Sequence, residues 1–541
     1  MKLLPSIYQF LFGFNTYKRG LIIHLSLLFF YSLFFIGAYF LLRLIVEPPD
    51  LKAYRQVQLS QLLVICMIMH LLTLMYFRWE QLVALVKEYF TEKGSPYNLA
   101  IFRILFFFKL GGHFLFQTLF FEIAWTHLPD SSRVSLPLIG WMVQNIPINP
   151  TLYAIFSVIA GVLCWLICIG LFTRQAALLL LPFAFYVLGV PMFFGKMNHY
   201  HILFWVPLLL CLAPMTDVWS VDAWIRKKRN RFISVEPHMK YFLSFKLMWL
   251  VLAIIYVFAG IIKLWDCGLD WALSDSMINQ MRWEWVENYD RVPRFRLDNY
   301  PVLAKLSGMA VIYFELLYFL LLIKPKGRIW ALIGGFSLHK LCGYFMYIDF
   351  ADLRLVAASY IDWPKIKAFF TNKFKPLQVK KETLNENKLL VILKKEKLKP
   401  AFIIGLILIT MNFILSACRI NSFPFSSYPT YSAIIKDEIK VIRLDAFTAD
   451  NKKVDVKQLG IKENFRWENI RQFEMRIADA FENKDSMAVR NKIEEYWMLW
   501  RNNVKNLDNI TRVDMFLETS SIVPERRKEI LKTEFVGTVN P

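Results

Sequence analysis

The sequence is short of charged residues and of cysteine, and each shortage excludes a class of protein. Charged residues make up only 20 % of the chain, and long stretches contain none. A soluble globular domain carries about 25 % charged residues and rarely repeats long uncharged runs. The seven cysteines are an odd number and form no Cys-x-x-Cys pair, so neither a disulfide framework nor a cysteine-based metal site is predicted.

Apolar side chains are what the sequence has in abundance. Hydrophobic residues make up 56 % of the 541 residues, phenylalanine alone occurs 48 times, and the mean hydropathy is +0.39. About 20 mostly apolar residues cross a hydrocarbon core roughly 30 Å thick, and several runs reach that length. The sequence therefore predicts an α-helical polytopic membrane protein with about nine to ten spans, followed by a small soluble α+β domain.

The excess of positive charge lies in the loops between the apolar runs. Basic residues outnumber acidic ones by 64 to 43, which gives a formal net charge of +21. The positive-inside rule accounts for basic loops without a nucleic-acid partner. It places the strongest cluster, Arg226–Arg231, in the cytoplasm, together with the N-terminus because Lys18 and Arg19 precede the first run.

Changes in composition divide the chain into five predicted parts. Residues 1–96 hold two N-terminal transmembrane helices, and residues 97–364 hold a multi-helix membrane domain. A basic linker, 365–400, leads to a last transmembrane helix at 401–418. Residues 419–541 predict an extramembrane α+β domain, which opens with a hairpin and continues with helical and strand patterns. We recognise in it no paired carboxylates, no Ser/His/Asp set and no glycine-rich phosphate loop.

Ten apolar runs are the predicted spans: Leu21–Leu42, Leu62–Phe77, Leu99–Ile123, Leu152–Phe172, Ala176–Phe194, Ile202–Leu212, Tyr241–Leu264, Leu303–Ile323, Trp330–Ile348 and Ala401–Ala417. The sixth covers only about 16 Å at 1.5 Å per residue, so we expect it to recruit Met197–His201. The ninth should end outside, whereas the basic linker belongs inside. We therefore predict a short broken or re-entrant segment at Asp349–Ile361, which is allowed where protein surrounds the backbone.

Lys263 is the main candidate for chemistry. It ends the seventh span at the outer interface, and the recruited residues of the sixth span bring His199 to the same level. A partly desolvated lysine can lose its proton near neutral pH and act as a base. The alternative is a lysine that snorkels from a helix end to water.

Other ionisable side chains lie deeper in the predicted spans. Lys109, His113 and Gln117 follow one another at spacings of four, which predicts one helix face turned to the bundle or to a wet cavity. Together with Glu315 in the eighth span, they favour a proton-coupled transporter as a third hypothesis. Transporters often contain internal repeats, and none is visible here.

Five motifs in a fixed order carry a family resemblance: Leu99-Ala-Ile-Phe-Arg103, Gly170-Leu-Phe-Thr-Arg174, Asn198-His199, Leu212-Ala-Pro with Ser220-Val-Asp-Ala223, and Ala259-Gly-Ile-Ile-Lys263-Leu. Over roughly residues 97–364 they resemble the HTTM domain, the membrane domain shared by vitamin K-dependent gamma-carboxylases and many bacterial proteins. In the carboxylases a lysine amine deprotonates a reduced quinone. The oxygenated quinone then removes a proton from a glutamate side chain, to which carbon dioxide adds.

The resemblance implies carboxylase or monooxygenase chemistry of the lyase class, with a reduced quinone such as vitamin K hydroquinone. It implies catalytic roles for Lys263, His199 and His339, and substrate-binding roles for Asn198, Asp270 and Trp271. The large lumenal domain that holds the carboxylases' substrate is replaced here by a smaller tail of different character. The alternative function is a non-catalytic membrane protein that binds a lipid or presents its C-terminal domain to a partner.

Overall fold

The structure is a computed structural model that describes residues 17–44, 49–195, 200–231, 235–288, 290–371, 399–428, 431–455, 467–503, 509–527 and 529–540. A helix lies at each of the ten predicted runs. Eight helices are long and apolar enough to cross a membrane, and His201–Leu210 is a shorter apolar helix. The predicted fold class, a polytopic helical membrane protein with a small α+β domain, is confirmed.

The helices of the membrane region are numbered in chain order: α1 Tyr17–Leu44, α2 Pro49–Phe77, α3 Trp79–Thr91, α4 Pro96–Gly112, α5 Gly140–Asn145, α6 Pro150–Ile169, α7 Thr173–Phe193, α8 His201–Leu210, α9 Val221–Lys228, α10 Leu243–Ile262, α11 Asp270–Leu273, α12 Ser276–Glu287, α13 Pro301–Ile323, α14 Pro325–Phe345, α15 Ala351–Ala357, α16 Trp363–Phe370 and α17 Lys399–Ala417.

Helix α10 is the centre of the bundle. Within its candidate span 83 % of the residues are buried, whereas in α1 and α2 the share is only 17 %. Its neighbours approach closely: a Cβ on Gly405 of α17 would lie 2.5 Å from the side chain of Leu247. Helix α10 is almost wholly apolar, and its few polar side chains have partners inside the bundle, so it is suited to a buried position.

Three of the family motifs, those that contain Arg103, Gly170 and Ser220, meet at one end of the bundle, which we call the basic end. Buried Arg103 donates to the carbonyl oxygens of Met215 at 2.6 Å and Trp219 at 2.5 Å. Gly170 ends α6 with φ +78°, and a Cβ there would lie 2.3 Å from the Cβ of Ser220. Glycine is required at this point because a larger residue meets both strain and a clash.

The third span departs from the predicted helical pattern. After α4 the chain continues as a π-helical turn, His113–Thr118, which changes the phase of the helix. Lys109 pairs with Asp352 of α15, and the His113 ring packs on that of Tyr200 at a centroid distance of 5.0 Å. Lys109 and His113 are still one α-helical turn apart, because the His113 N–H bonds the Lys109 carbonyl oxygen, and the change of phase begins only after them.

The structure describes part of the sixth predicted span and the segment that follows the ninth. Helix α8 begins at His201, the last residue of the predicted extension, and Tyr200 is its N-cap residue; residues 196–199 lie outside the described residues. After α14 the chain returns as α15 and a 3-10 turn, Ala358–Tyr360. The backbone N–H of Trp363 then bonds Asn98 at 3.0 Å, at the basic end. Of the basic linker, 372–398 lie outside the described residues.

The C-terminal domain lies at the opposite end of the bundle, which we call the Lys263 end. Its antiparallel sheet has the order β2-β1-β3-β4, with β1 Glu438–Thr448, β2 Lys453–Asp455, β3 Ile510–Ser521 and β4 Ile530–Val539. Two helices, α18 Trp467–Glu482 and α19 Ser486–Asn503, complete it. Arg476 of α18 donates to the Phe194 carbonyl oxygen at 2.8 Å, and Arg527 pairs with Asp290 at 2.7 Å.

Candidate functional site

Lys263 lies inside the protein and is paired with Glu315. Its Nζ atom is 2.9 Å from each carboxylate oxygen of Glu315, and the two side chains are only 5 % and 10 % exposed. Lys263 begins a π-helical turn, Lys263–Cys267, which continues α10, whereas Glu315 lies midway along α13. The ammonium therefore does not snorkel to water, and the alternative reading of Lys263 from sequence is wrong.

A glycine lets the two helices come together at this pair. A Cβ on Gly260 would lie 3.1 Å from Leu316 and 3.2 Å from the Cβ of Glu315. The helices therefore pack closely one turn before Lys263. Short interhelical distances of this kind are typical of membrane bundles, in which small residues allow backbones to approach.

Trp271 covers the pair from the extramembrane side. The Lys263 Nζ atom lies 5.2 Å from the centroid of the indole ring, within the range of a cation–π contact. The indole N–H donates to the carbonyl oxygen of Tyr431 at 2.5 Å. The thiol of Cys267 donates to the carbonyl oxygen of Ser432 at 2.9 Å. We call Tyr431–Ile435 the strap, because it crosses the bundle here on its way from α17 to the sheet.

A row of polar side chains continues from Lys263 along α10. Trp249, Tyr256 and Lys263 are seven residues apart, which places them on one helix face. The Tyr256 hydroxyl lies 2.6 Å from Nε2 of His339 on α14, and the Trp249 indole N–H donates to Ser359 at 2.8 Å. All these groups are buried and have partners in neighbouring helices.

The row ends at the basic end in three charged residues. Glu92 accepts hydrogen bonds from Arg328 at 2.9 and 2.6 Å and also pairs with Lys246 of α10. Burial alone would raise the pKa of Glu92, but the Arg328 hydrogen bonds and the Lys246 charge outweigh it and lower that pKa. This cluster fastens α3, α10 and α14 together where the chain enters the basic loops.

Asp270, the other predicted substrate-binding residue next to Trp271, contacts the N-terminal helices. Its Oδ1 atom accepts a hydrogen bond from Tyr39 and lies 3.7 Å from Nη2 of Arg43. Both partners belong to α1. Asp270 therefore ties α11 to the first helix, while its neighbour Trp271 faces the Lys263–Glu315 pair.

The structure brings together some of the predicted site residues and leaves others apart. Lys263 and Trp271 are in contact, and His339 joins the same row through Tyr256. Asn198 and His199 lie outside the described residues. In the part of the chain that the structure describes, no group of three or more His, Cys, Asp or Glu residues could hold a metal ion.

Sequence reasoning did not find the partner of Lys263. From the sequence, Glu315 is an intramembrane acid that the transporter hypothesis groups with Lys109 and His113. The structure separates these groups into different pairs, Lys263–Glu315 and Lys109–Asp352. Tyr256 was missed, although its spacing of seven residues from Lys263 was a readable signal.

The part of the chain that the structure describes has eight helices able to cross a membrane and a buried Lys–Glu pair between two of them, which defines a polytopic membrane protein with ionisable groups held out of water. Residues 92–363, half of the chain, match the HTTM domain. The chain belongs to the HTTM family, as the motifs predicted. No curated protein and no solved structure matched the chain.

Proposed function

We propose that this protein is a membrane enzyme that removes a proton from a lipophilic substrate, such as a reduced quinone, with Lys263 as the base. One observation carries the proposal: the Lys263 amine contacts both oxygens of Glu315 in a buried position beside Trp271. Ionisable residues inside membrane spans are costly and are by default candidates for function. Membership of the HTTM family supports the same reading.

The pair offers a way to keep the amine ready for a proton. A proton that passes from the Lys263 ammonium to the Glu315 carboxylate breaks an N–H bond and forms an O–H bond between groups 2.9 Å apart. The Lys263 amine is then neutral and has a free electron pair. The O–H bond of the substrate then breaks, an N–H bond forms, and the electron pair of the O–H bond stays on the substrate oxygen.

The surroundings suit the charges that this step creates. The ammonium formed on Lys263 lies over the face of Trp271, which stabilises a cation. The strap and Trp271 cover the pair on the extramembrane side, so bulk water does not compete for the proton. The substrate anion would therefore form next to a fixed positive charge in an apolar site.

The proposal stops at deprotonation of a lipophilic hydroxyl. In the carboxylases that the motifs resemble, the deprotonated quinol goes on to react with oxygen, and a glutamate is carboxylated. The C-terminal domain of this chain is a four-stranded sheet with two helices rather than a large substrate-holding domain. We therefore do not extend the proposal to a protein substrate.

The test is turnover of vitamin K hydroquinone by the purified protein in lipid nanodiscs under air. Lys263→Ala should lower the rate by at least about 100-fold, the usual range for loss of a general base. The matched control is Lys305→Ala, because Lys305 pairs with Asp275 at 3.3 Å in an exposed position. Equal turnover by the wild type and Lys263→Ala would remove Lys263 as the base.

A groove in the C-terminal domain favours a second candidate, a membrane protein that presents this domain to a partner. The groove lies between α19 and β4, has a volume of 1010 Å³ and is lined by Val489, Ile493 and Val536 among others. This candidate predicts that Lys263→Ala is silent in cells, whereas deletion of residues 438–541 is not. The paired phenotypes of these two variants separate the candidates.

A further inference from the structure

The two N-terminal helices lie outside the matched HTTM segment, and little of their surface is packed against it. The match begins at residue 92, whereas α1 and α2 end at Leu44 and Phe77. Only 17 % of the residues in each candidate span are buried, so most of both helices faces lipid. Their contact with the rest of the bundle is a narrow stripe.

That stripe lies against the Lys263 site. Tyr39 of α1 is fully buried and Val64 of α2 is 3 % exposed. They share one apolar cluster with residues of the site, namely Leu264, Cys267, Leu269, Trp271, Ala272, Ile312 and Leu316. The two N-terminal helices therefore cover, on the side away from the bundle, the residues that surround Lys263 and Glu315.

Polar contacts fasten the two helices at their extramembrane end. Tyr39 donates to Asp270, Gln61 donates to the Trp265 carbonyl oxygen at 3.1 Å, and the Ser60 hydroxyl accepts from the Leu269 N–H at 2.9 Å. At Gly268, φ is +64° and a Cβ would lie 2.9 Å from the Ser60 hydroxyl oxygen. The contact of α1 and α2 with residues 265–270 is therefore close and is made through polar groups.

In a membrane these polar contacts decide whether the two helices stay in place. Lipid tails are as apolar as the side chains of Val64 or Leu264, so no hydrophobic effect holds the N-terminal helices in place. Moving α1 and α2 aside exchanges apolar protein contacts for apolar lipid contacts. The other sides are closed by α13, which belongs to the matched segment and packs on Gly260, and by the strap, whose carbonyl oxygens accept hydrogen bonds from Trp271 and Asn279.

We propose that α1 and α2 form a lateral door through which a lipid-soluble substrate reaches Lys263 and Glu315 from the bilayer, with Asp270 as its latch. Tyr39 and Val64 then contact the apolar part of the substrate and set which molecules fit. The inference rests on the proposed function for its substrate class. In this proposal Asp270 holds helix α1 in place, because its partners are the side chains of Tyr39 and Arg43. This role differs from the substrate-binding role that the family resemblance implies for Asp270.

The first test loosens the latch in the full-length protein in nanodiscs. The probe is an isoprenoid quinone with a photoreactive benzophenone group, and the measurement is the rate at which residues 264–272 become labelled. Tyr39→Phe keeps the ring and removes the bond to Asp270, so labelling should become at least about threefold faster. Tyr31→Phe of the same helix, whose ring packs on His70 of α2 and not on Asp270, is the control and should leave the rate unchanged. Equal rates in both variants would overturn the latch.

The second test locks the door. Gln61→Cys and Trp265→Cys are introduced with serine at Cys66 and Cys418, and the pair is joined by a short bifunctional thiosulfonate. Labelling should fall at least about fivefold and return after reduction. Unchanged labelling in the locked protein would refute the door. The proposed function fails separately: if Lys263→Ala turns over quinol normally while the lock still blocks labelling, the door stands and the base does not.

Discussion

Glu315→Gln removes the carboxylate from the buried pair and is the sharpest probe of the site. The change keeps the size of the side chain but takes away the charge that offsets Lys263. Because Lys263 is only 5 % exposed, its ammonium cannot reach water when the partner is neutral. Breaking a buried pair by removing one partner costs about 3–5 kcal/mol, since an uncompensated charge stays behind. We expect Glu315→Gln to lose stability in that range.

A matched pair on the surface sets the scale for this loss. Lys324 and Glu88 are 2.6 Å apart, but the side chains are 39 % and 67 % exposed. Water and salt screen such a pair, so its contribution is at most about 1 kcal/mol. Glu88→Gln should therefore change stability by less than about 1 kcal/mol under the same conditions.

The assay is reversible unfolding in mixed micelles, with the double variant Lys263→Met/Glu315→Met included. Replacing both charges removes the desolvation cost together with the attraction, so the double variant should recover most of the stability lost by Glu315→Gln. The reasoning is refuted if Glu315→Gln lies within 1 kcal/mol of the wild type, or if the double variant is no better than the single one. If Lys263 and Glu315 are catalytic, the double variant should recover stability but should not turn over the quinol.

Two further predictions concern the neighbourhood of the site. Burial would raise the pKa of Asp298, but hydrogen bonds from Arg296 and Arg282 outweigh it and lower that pKa. The carboxylate therefore contributes fully to folding stability above the unfolded pKa of about 3.9, and this contribution is lost as the pH falls through the lower folded pKa. Asp298→Asn should lower stability at pH 7 and flatten the loss of stability below pH 4 in acid unfolding, and an unchanged acid profile would contradict the assignment. Gly260→Val should cost about 1–3 kcal/mol by forcing α10 from α13, whereas Gly37→Ala, where a Cβ meets nothing within 4 Å, should cost nothing in thermal unfolding.

Local patterns in the chain were enough for the class of protein and for the places of its helical runs. Each of the ten predicted runs overlaps a helix, because a span needs only length and hydropathy, which are properties of consecutive residues. The conflict between the ninth run and the basic linker also pointed to Asp349–Ile361, where the structure places α15 and a 3-10 turn. The order of the five motifs along the sequence was sufficient to identify the HTTM family.

Packing decided which ionisable groups meet. Lys263 and Glu315 are 52 residues apart, and Tyr256 and His339 are 83 residues apart. Their contacts depend on how α10, α13 and α14 are rotated and how closely Gly260 lets them approach, and nothing in a linear pattern fixes those angles.

The sequence by itself determined a helical membrane protein with basic loops at one end and a lysine at the other rim, since hydropathy and charge act locally. Only the tertiary structure decided that this lysine is paired with an acid from another helix, that Trp271 covers it, and that α1 and α2 enclose it. The physical reason is that every intramembrane charge must find a partner, but several arrangements of ten helices could provide one.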